Sequence, residues 1–163
     1  MFLCLMAAQD DSKQEEVTVV RGTAEDVRSI VYAYDWLFSP PGTRPEKWDE
    51  NHAAEALGRV MTSPSSNVFL AHRKGALVGF CTIYLDIESV RFGQRAWVED
   101  LAVHPDFRSR GIGKLLLDAA KAWAKSRGAS HLSLESGERR IDAHRFYERE
   151  NPSRRSRSFR WEL

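Results

Sequence analysis

The chain has 163 residues, 42% hydrophobic and 10% aromatic with five Trp and eight Phe, which excludes general disorder and suits one domain that needs no disulfide or metal staple. Twenty-four basic against twenty-three acidic residues leave a formal charge of +1, so no global field recruits nucleic acid or a membrane surface. Cys4 and Cys81 are too few for a disulfide framework, and no apolar run nears the ~20 residues of a membrane helix, so a reducing cytoplasm is the expected location.

Met1–Ala8 is apolar like the centre of a signal peptide, but no basic segment precedes it and Gln9-Asp-Asp-Ser-Lys-Gln-Glu-Glu16 follows at once. Residues 1–15 are therefore read as a disordered tail, with Met6 as an alternative start, and 16–163 as a single domain. Val17-Thr-Val-Val-Arg21 is β-branched and reads as a strand. Thr23 and Asp26 have capping-box spacing, and Val27, Ile30, Val31 and Tyr34 recur as one helical stripe behind them. Ser39-Pro-Pro-Gly-Thr43 is a loop. Pro45 suits the first turn of a second helix, with Trp48, His52, Ala56 and Val60 on one side.

Two runs, 68–73 and 76–84, flank Lys74-Gly75 as a hairpin. Residues 95–103 form a further strand, and a helix runs from about Gly113 to Arg127 with Leu116, Ala119, Ala120 and Trp123 in period and Gly128 to end it. A strand at 131–135, a helix at 139–150 and a strand at 159–163 complete the chain. A hairpin followed by strand–helix–strand–helix argues a mixed α/β sheet with helices on both faces.

The chemistry concentrates in Leu101-Ala-Val-His-Pro-Asp-Phe-Arg-Ser-Arg-Gly-Ile-Gly-Lys114. Pro105 ends the strand, and Gly111 and Gly113 let a ligand lie against the backbone. The following helix begins with amide N–H groups that lack internal partners, which suits an anion such as a pyrophosphate; Arg108, Arg110 and Lys114 add positive charge. An ordinary basic glycine turn is the plainer alternative. The five histidines have no metal-ligand spacing, so no metal is expected.

Arg108-x-x-Gly111-x-Gly113 after Val-Glu-Asp-Leu-Ala-Val resembles the acetyl-CoA signature of the GCN5-related N-acetyltransferases, and Ala143-x-x-Phe146-Tyr147-Glu148 resembles that family's C-terminal helix motif. The resemblance implies an α/β (α+β) fold with a mostly antiparallel sheet and a splayed parallel pair of strands. It implies pantetheine bonds from the main chain of Leu101, Ala102 and Val103, and a pyrophosphate cradle from Ser109, Arg110, Gly111, Ile112, Gly113 and Lys114. Arg108 belongs to the same signature, its counterpart often holding the turn itself. The family's usual Asn near the last helix is absent, with Arg140 and Asp142 in that neighbourhood, and its Gly-Phe is replaced by Asn151-Pro152.

N-acetyl transfer needs a base for the ammonium of the acceptor and an acid for the leaving thiolate. Tyr147 matches the tyrosine often proposed as that acid, core packing being its other reading. Adjacent carboxylates in a central strand demand a reason; alternation sends Glu99 and Asp100 to opposite faces. Glu99 is the expected base and Asp100 a structural anchor, a buried ion pair being the alternative. Trp36, Phe38, the 39–43 loop, Tyr84, Asp86, Glu88 and Trp97 are candidates to line an acceptor pocket for a cationic amine, with core packing the competing reading for Trp36 and Trp97. Arg154, Arg155, Arg157 and Arg160 suit either a charged edge strand or an anion, RNA or the 3′-phosphate of CoA. The expected function is acetyl transfer from acetyl-CoA to a small primary amine (polyamine, amino sugar or aminoglycoside-like). Acetylation of a protein N-terminus or lysine, and a non-catalytic acyl-CoA-binding module, are the alternatives. A homodimer is the further arrangement that the resemblance suggests.

Overall fold

A computed structural model describes residues 16–163; the expected tail over 1–15 and the choice of start lie outside the described residues. Strand β1 (Val17–Arg21) leads through a single 3-10 turn into α1 (Val27–Ala33) and the short α2 (Asp35–Phe38). Next come α3 (Glu50–Thr62), β2 (Ser66–Arg73), β3 (Ala76–Leu85) and β4 (Ala96–Val103). Helix α4 (Ile112–Ser126), β5 (Leu132–Leu134) and α5 (Ile141–Arg149) follow. The five strands stand in the order β1-β2-β3-β4-β5, antiparallel except for the parallel β4–β5 pair.

Local chemistry explains most boundaries. The Asp26 carboxylate accepts the Thr23 backbone N–H at 2.8 Å and its hydroxyl at 3.0 Å, closing the first helical entry. Lys74 and Gly75 both have positive φ (51° and 78°), the twist that a two-residue hairpin requires. Gly128 at φ 78° lets the Ala129 N–H return to the Ala124 carbonyl and end α4. Asn151 takes the left-handed conformation after α5, at φ 53°.

Helices cover both faces of the sheet. Cys81, Ile83, Ala96 and Val98 pack with Ile112, Leu116, Ala120 and Ala124 of α4. Val68, Leu70, Phe80 and Ala102 pack with Ile30 and Val31 of α1 and Leu57 of α3.

The structure corrects several boundaries. Pro45–Trp48 is only a turn; α3 starts at Glu50 because the Asp49 carboxylate caps it by accepting the His52 N–H at 2.7 Å. The helical stripe expected through Tyr34 is interrupted at Tyr34, and α2 starts after it. No strand forms at 159–163; Phe159 and Trp161 stay exposed, and the segment does not pair with the open outer edge of β5. Strict alternation does not run the length of β4 either. Thr82 pairs with Asp100 and Ile83 with Val98, so Glu99 is the extra residue of a β-bulge. Its consequence is visible in the core: Ala96 and Val98 face α4, while Ala102 faces the opposite way.

Candidate active site

The turn after β4 is built for an exposed backbone. Pro105–Phe107 makes one 3-10 turn, and the chain then reverses through Ser109 (φ 58°) and Gly111 (φ 80°). Helix α4 starts with no side-chain cap, and the N–H groups of Ile112, Gly113 and Lys114 have no partner among the described residues. These amides and the helix dipole form an anion receptor. The two glycines differ in role. A Cβ at Gly111 would meet nothing within 4 Å, whereas one at Gly113 would lie 3.4 Å from the Phe146 ring, so Gly113 serves the packing of α5 on α4. The Ile112 side chain is buried in the core, leaving only its main chain for a ligand.

The basic side chains of the turn are largely engaged. Lys114 Nζ bonds Asp118 at 2.6 Å and lies 3.6 Å from Glu150, tying α4 to α5. Arg110 lies over the Phe107 ring, 5.4 Å from its centroid. Arg108 donates through Nε to the Val103 carbonyl and through Nη2 to the Trp36 carbonyl, each at 3.3 Å. It fastens the turn to α2.

Parallel pairing of β4 with β5 stops at Val98–Leu134, immediately before the bulge. From Glu99 through Val103, including Leu101 and Ala102, β4 keeps β3 on one side and has no strand on the other. Such an edge accepts an extended ligand bearing amide groups as a further strand. Just past β5, the Ser136 hydroxyl oxygen is buried without a hydrogen-bond partner.

Asp100 is held from three directions. Its backbone N–H donates to Thr82 Oγ1 at 3.0 Å, Thr82 Oγ1 donates to Oδ2 at 3.3 Å, and the Tyr34 hydroxyl donates to the same Oδ2 at 2.7 Å. Burial raises the Asp100 carboxyl above its ordinary range, while the bonds from Tyr34 and Thr82 and the charge of Arg140 pull it back. Burial followed by the Asp100 charge pushes the Tyr34 phenol up as well. Asp100 thus pins the bulge that carries Glu99.

Glu99 is more exposed than Asp100. Partial burial, then the Asp100 and Glu135 charges, raise its carboxyl, and Arg160 opposes them. Burial pushes the Tyr147 phenol up to about 12, with Arg140 acting the other way, so Tyr147 is a neutral donor at physiological pH. Tyr147 stands next to Phe146 on α5, their ring centroids 5.0 Å apart, and Phe146 packs on Gly113 at the start of α4.

The expected pocket residues divide into two groups. Trp36 stands edge-on to His104 at 5.1 Å and Phe38 edge-on to Trp48 at 4.7 Å, both within the aromatic packing under the sheet. Tyr84 pairs with Trp97 across the β3–β4 ladder, and the charges of Glu99, Asp86 and Glu135 all act on its phenol. Asp86 is ion-paired with Arg95, while Glu88 is exposed outside the strands. Glu135 binds the Ser158 hydroxyl and lies 3.7 Å from Arg160, so the C-terminal segment borders this acidic group.

Sequence reasoning missed Tyr34, Thr82, Glu135 and Ser136 as members of the site. Thr82 carried a readable signal, a hydroxyl inside the apolar run Val78–Tyr84; Tyr34 had none beyond its place on a helical stripe. Among the described residues, no three His, Cys, Asp or Glu side chains are placed to hold a metal ion, and no helix is long and apolar enough to cross a membrane.

A family model described as the acetyltransferase (GNAT) family matches residues 29–151. An uncharacterised N-acetyltransferase of Bacillus subtilis (strain 168) is 48% identical over 93 residues, 57% of this chain and 65% of that protein. An aminoalkylphosphonate N-acetyltransferase of Salmonella typhimurium is 32% identical over 90 residues, 55% of this chain and 58% of that one. The chain spans about three fifths of the length of these curated relatives. Among solved structures, an aminoglycoside N-acetyltransferase in complex with CoA matches with TM-score 0.78 at 14% identity, over 91% of this chain and 95% of that one. A transcriptional regulator from Bacillus halodurans matches with TM-score 0.78 at 22% identity, over 91% of this chain and all of that one. At such identities the likeness is one of fold.

Proposed function

The chain belongs to the acetyltransferase (GNAT) family, and from that premise we propose that residues 16–163 act as one cytoplasmic domain transferring acetyl from acetyl-CoA to the primary amine of a small molecule. One observation carries the proposal: β4 loses its parallel neighbour at Val98, immediately before Glu99 and Asp100, and leads through the glycine turn into an uncapped helix start. The residues present fit the co-substrate. The amides of 112–114 would hold the pyrophosphate, and the edge at Leu101–Val103 would bond the pantetheine arm. The CoA in one structural relative, and the aminoalkylphosphonate and aminoglycoside in relatives' names, support a small polar acceptor.

Acetyl-CoA, when bound, supplies an activated thioester. Glu99 accepts a proton from the acceptor's ammonium, leaving the nitrogen lone pair free to attack; its raised proton affinity suits that task. Tyr147 gives its phenolic proton to the departing sulfur and is later recharged from solvent. Asp100 keeps the bulge in register.

Thiol release measured across polyamines, amino sugars, amino acids and peptides tests the reading. Glu99→Gln and Tyr147→Phe are each expected to lower kcat about 100-fold or more, with acetyl-CoA affinity within about twofold of the parent. Full turnover in either variant removes that residue's role. Tight acetyl-CoA binding with no acceptor turned over would favour the binding-module alternative, and no heat with CoA would end the proposal altogether.

A further inference from the structure

An open cavity of about 500 Å³ lies between the 39–43 loop and the segment leading into α5, lined by Pro41, Thr43, Gly137, Glu138, Arg139 and Arg140. Arg140 is half-buried there, and its Nη2 donates to the Leu37 carbonyl at 2.9 Å, which fixes the guanidinium. The loop closes tightly on it: a Cβ at Gly42 would fall 2.9 Å from Arg140 Nη2 and 1.9 Å from the Leu37 oxygen.

Neither Arg139 nor Arg140 forms an ion pair among the described residues, whereas Arg44, Arg95, Arg145, Arg155 and Arg160 each have a carboxylate partner. Glu138 lines the same cavity without pairing with either. A guanidinium partly withdrawn from water, and left without an ion-pair partner although Glu138 lines the same cavity, favours an incoming anion. The Leu37 carbonyl that Arg140 holds lies three residues after Tyr34, whose hydroxyl bonds Asp100, so this cavity is tied to the β4 bulge.

The glycine turn proposed for the pyrophosphate of CoA lies further along α5. Along α5, Phe146 rests on Gly113 at the glycine turn. Arg140 precedes Phe146 by six residues, about 9 Å along a helix axis. Of the three carboxylates that act on Tyr84, Asp86 is paired with Arg95 and Glu135 lies 3.7 Å from Arg160, which leaves Glu99 without an ion-pair partner among the described residues. A ligand with a positive end for Glu99 and a negative end for Arg140 satisfies both groups.

We infer that the acceptor is an amine that also carries a carboxylate or phosphonate, its anionic end received by Arg139 and Arg140 and its nitrogen presented to Glu99. This inference rests on the acetyltransferase reading above. It is tested by thiol release from acetyl-CoA with β-alanine, 2-aminoethylphosphonate and the uncharged 2-aminoethanol. The wild-type kcat/KM is expected to favour an anionic amine over 2-aminoethanol by about tenfold or more. Arg140→Met should collapse that ratio towards one, mainly through KM, and Arg140→Lys should restore part of it. Arg139 is exposed, so Arg139→Met reduces the same ratio without disturbing the fold.

Calorimetry with acetyl-CoA should give the parent affinity in all three variants. A preference for 2-aminoethanol, or a ratio unchanged in both Met variants, overturns the inference. So does a loss of acetyl-CoA affinity in Arg140→Met, which would put the guanidinium on the cofactor. Succinyl-CoA preferred over acetyl-CoA, with the preference lost in Arg140→Met, would move the anion to the acyl group and overturn it too. Turnover of polyamines but of neither anionic amine defeats this inference alone, whereas no turnover with any amine defeats the parent reading.

Discussion

Glu99 and Asp100 are adjacent carboxylates with divided tasks, and the division comes from one inserted residue. Asp100 turns under the sheet to Tyr34 and Thr82, while Glu99 occupies the bulge and meets solvent. Because Glu99 acts ionised and its carboxyl is raised, kcat/KM should fall as pH drops through a value above the ordinary carboxylate range. Glu99→Gln should lack that acid limb, as a pH–rate profile with a fixed acceptor will show. Tyr34→Phe removes a 2.7 Å bond to a buried carboxylate, an expected loss of about 1.5–3 kcal/mol in denaturant unfolding. It should also lower kcat, because the bulge loses one of its ties. Unchanged unfolding in Tyr34→Phe would mean that Asp100 does not depend on that phenol.

Elements fix what single residues cannot. Helix α4 contributes its buried face, Leu116, Ala120 and Ala124, to the core and its first turn to the candidate site. On the proposed reading the same helix both anchors the core and binds the ligand. Gly111 begins it at φ 80°, with open space where a side chain would stand. Gly111→Ala meets no steric wall, so its expected cost is the left-handed backbone strain, about 1 kcal/mol. Thermal unfolding and acetyl-CoA calorimetry should both register it, the second more strongly if the turn shifts. A variant with unchanged affinity would show that the amides of α4 do not hold the ligand. Helix α5 adds the other bank of the site, with Phe146 on Gly113 and Arg140 reaching across to Leu37.

At the scale of the molecule, two arginines fasten α2 over the break in the sheet. Arg108 reaches the Trp36 carbonyl from the glycine turn, and Arg140 reaches the Leu37 carbonyl from the start of α5. Their bonds satisfy carbonyls at the end of a four-residue helix that has few stabilising bonds of its own. The 39–43 loop is thereby linked to both the glycine turn and the cavity beside Arg140. The sheet beneath these ties has a core that is almost wholly apolar.

The sequence by itself determined features whose causes lie within a few residues: the Thr23–Asp26 closure, the Lys74-Gly75 hairpin and the Gly128 stop of α4. Backbone preference and hydrogen bonding at that range leave few alternatives. Only the tertiary structure decided that alternation fails at Glu99, that Tyr34 bonds Asp100 across 66 positions, and that Arg140 bonds Leu37 across 103. Tertiary structure also left 159–163 without a strand: the segment does not dock on the open edge of β5, and local periodicity alone cannot bring two strands together.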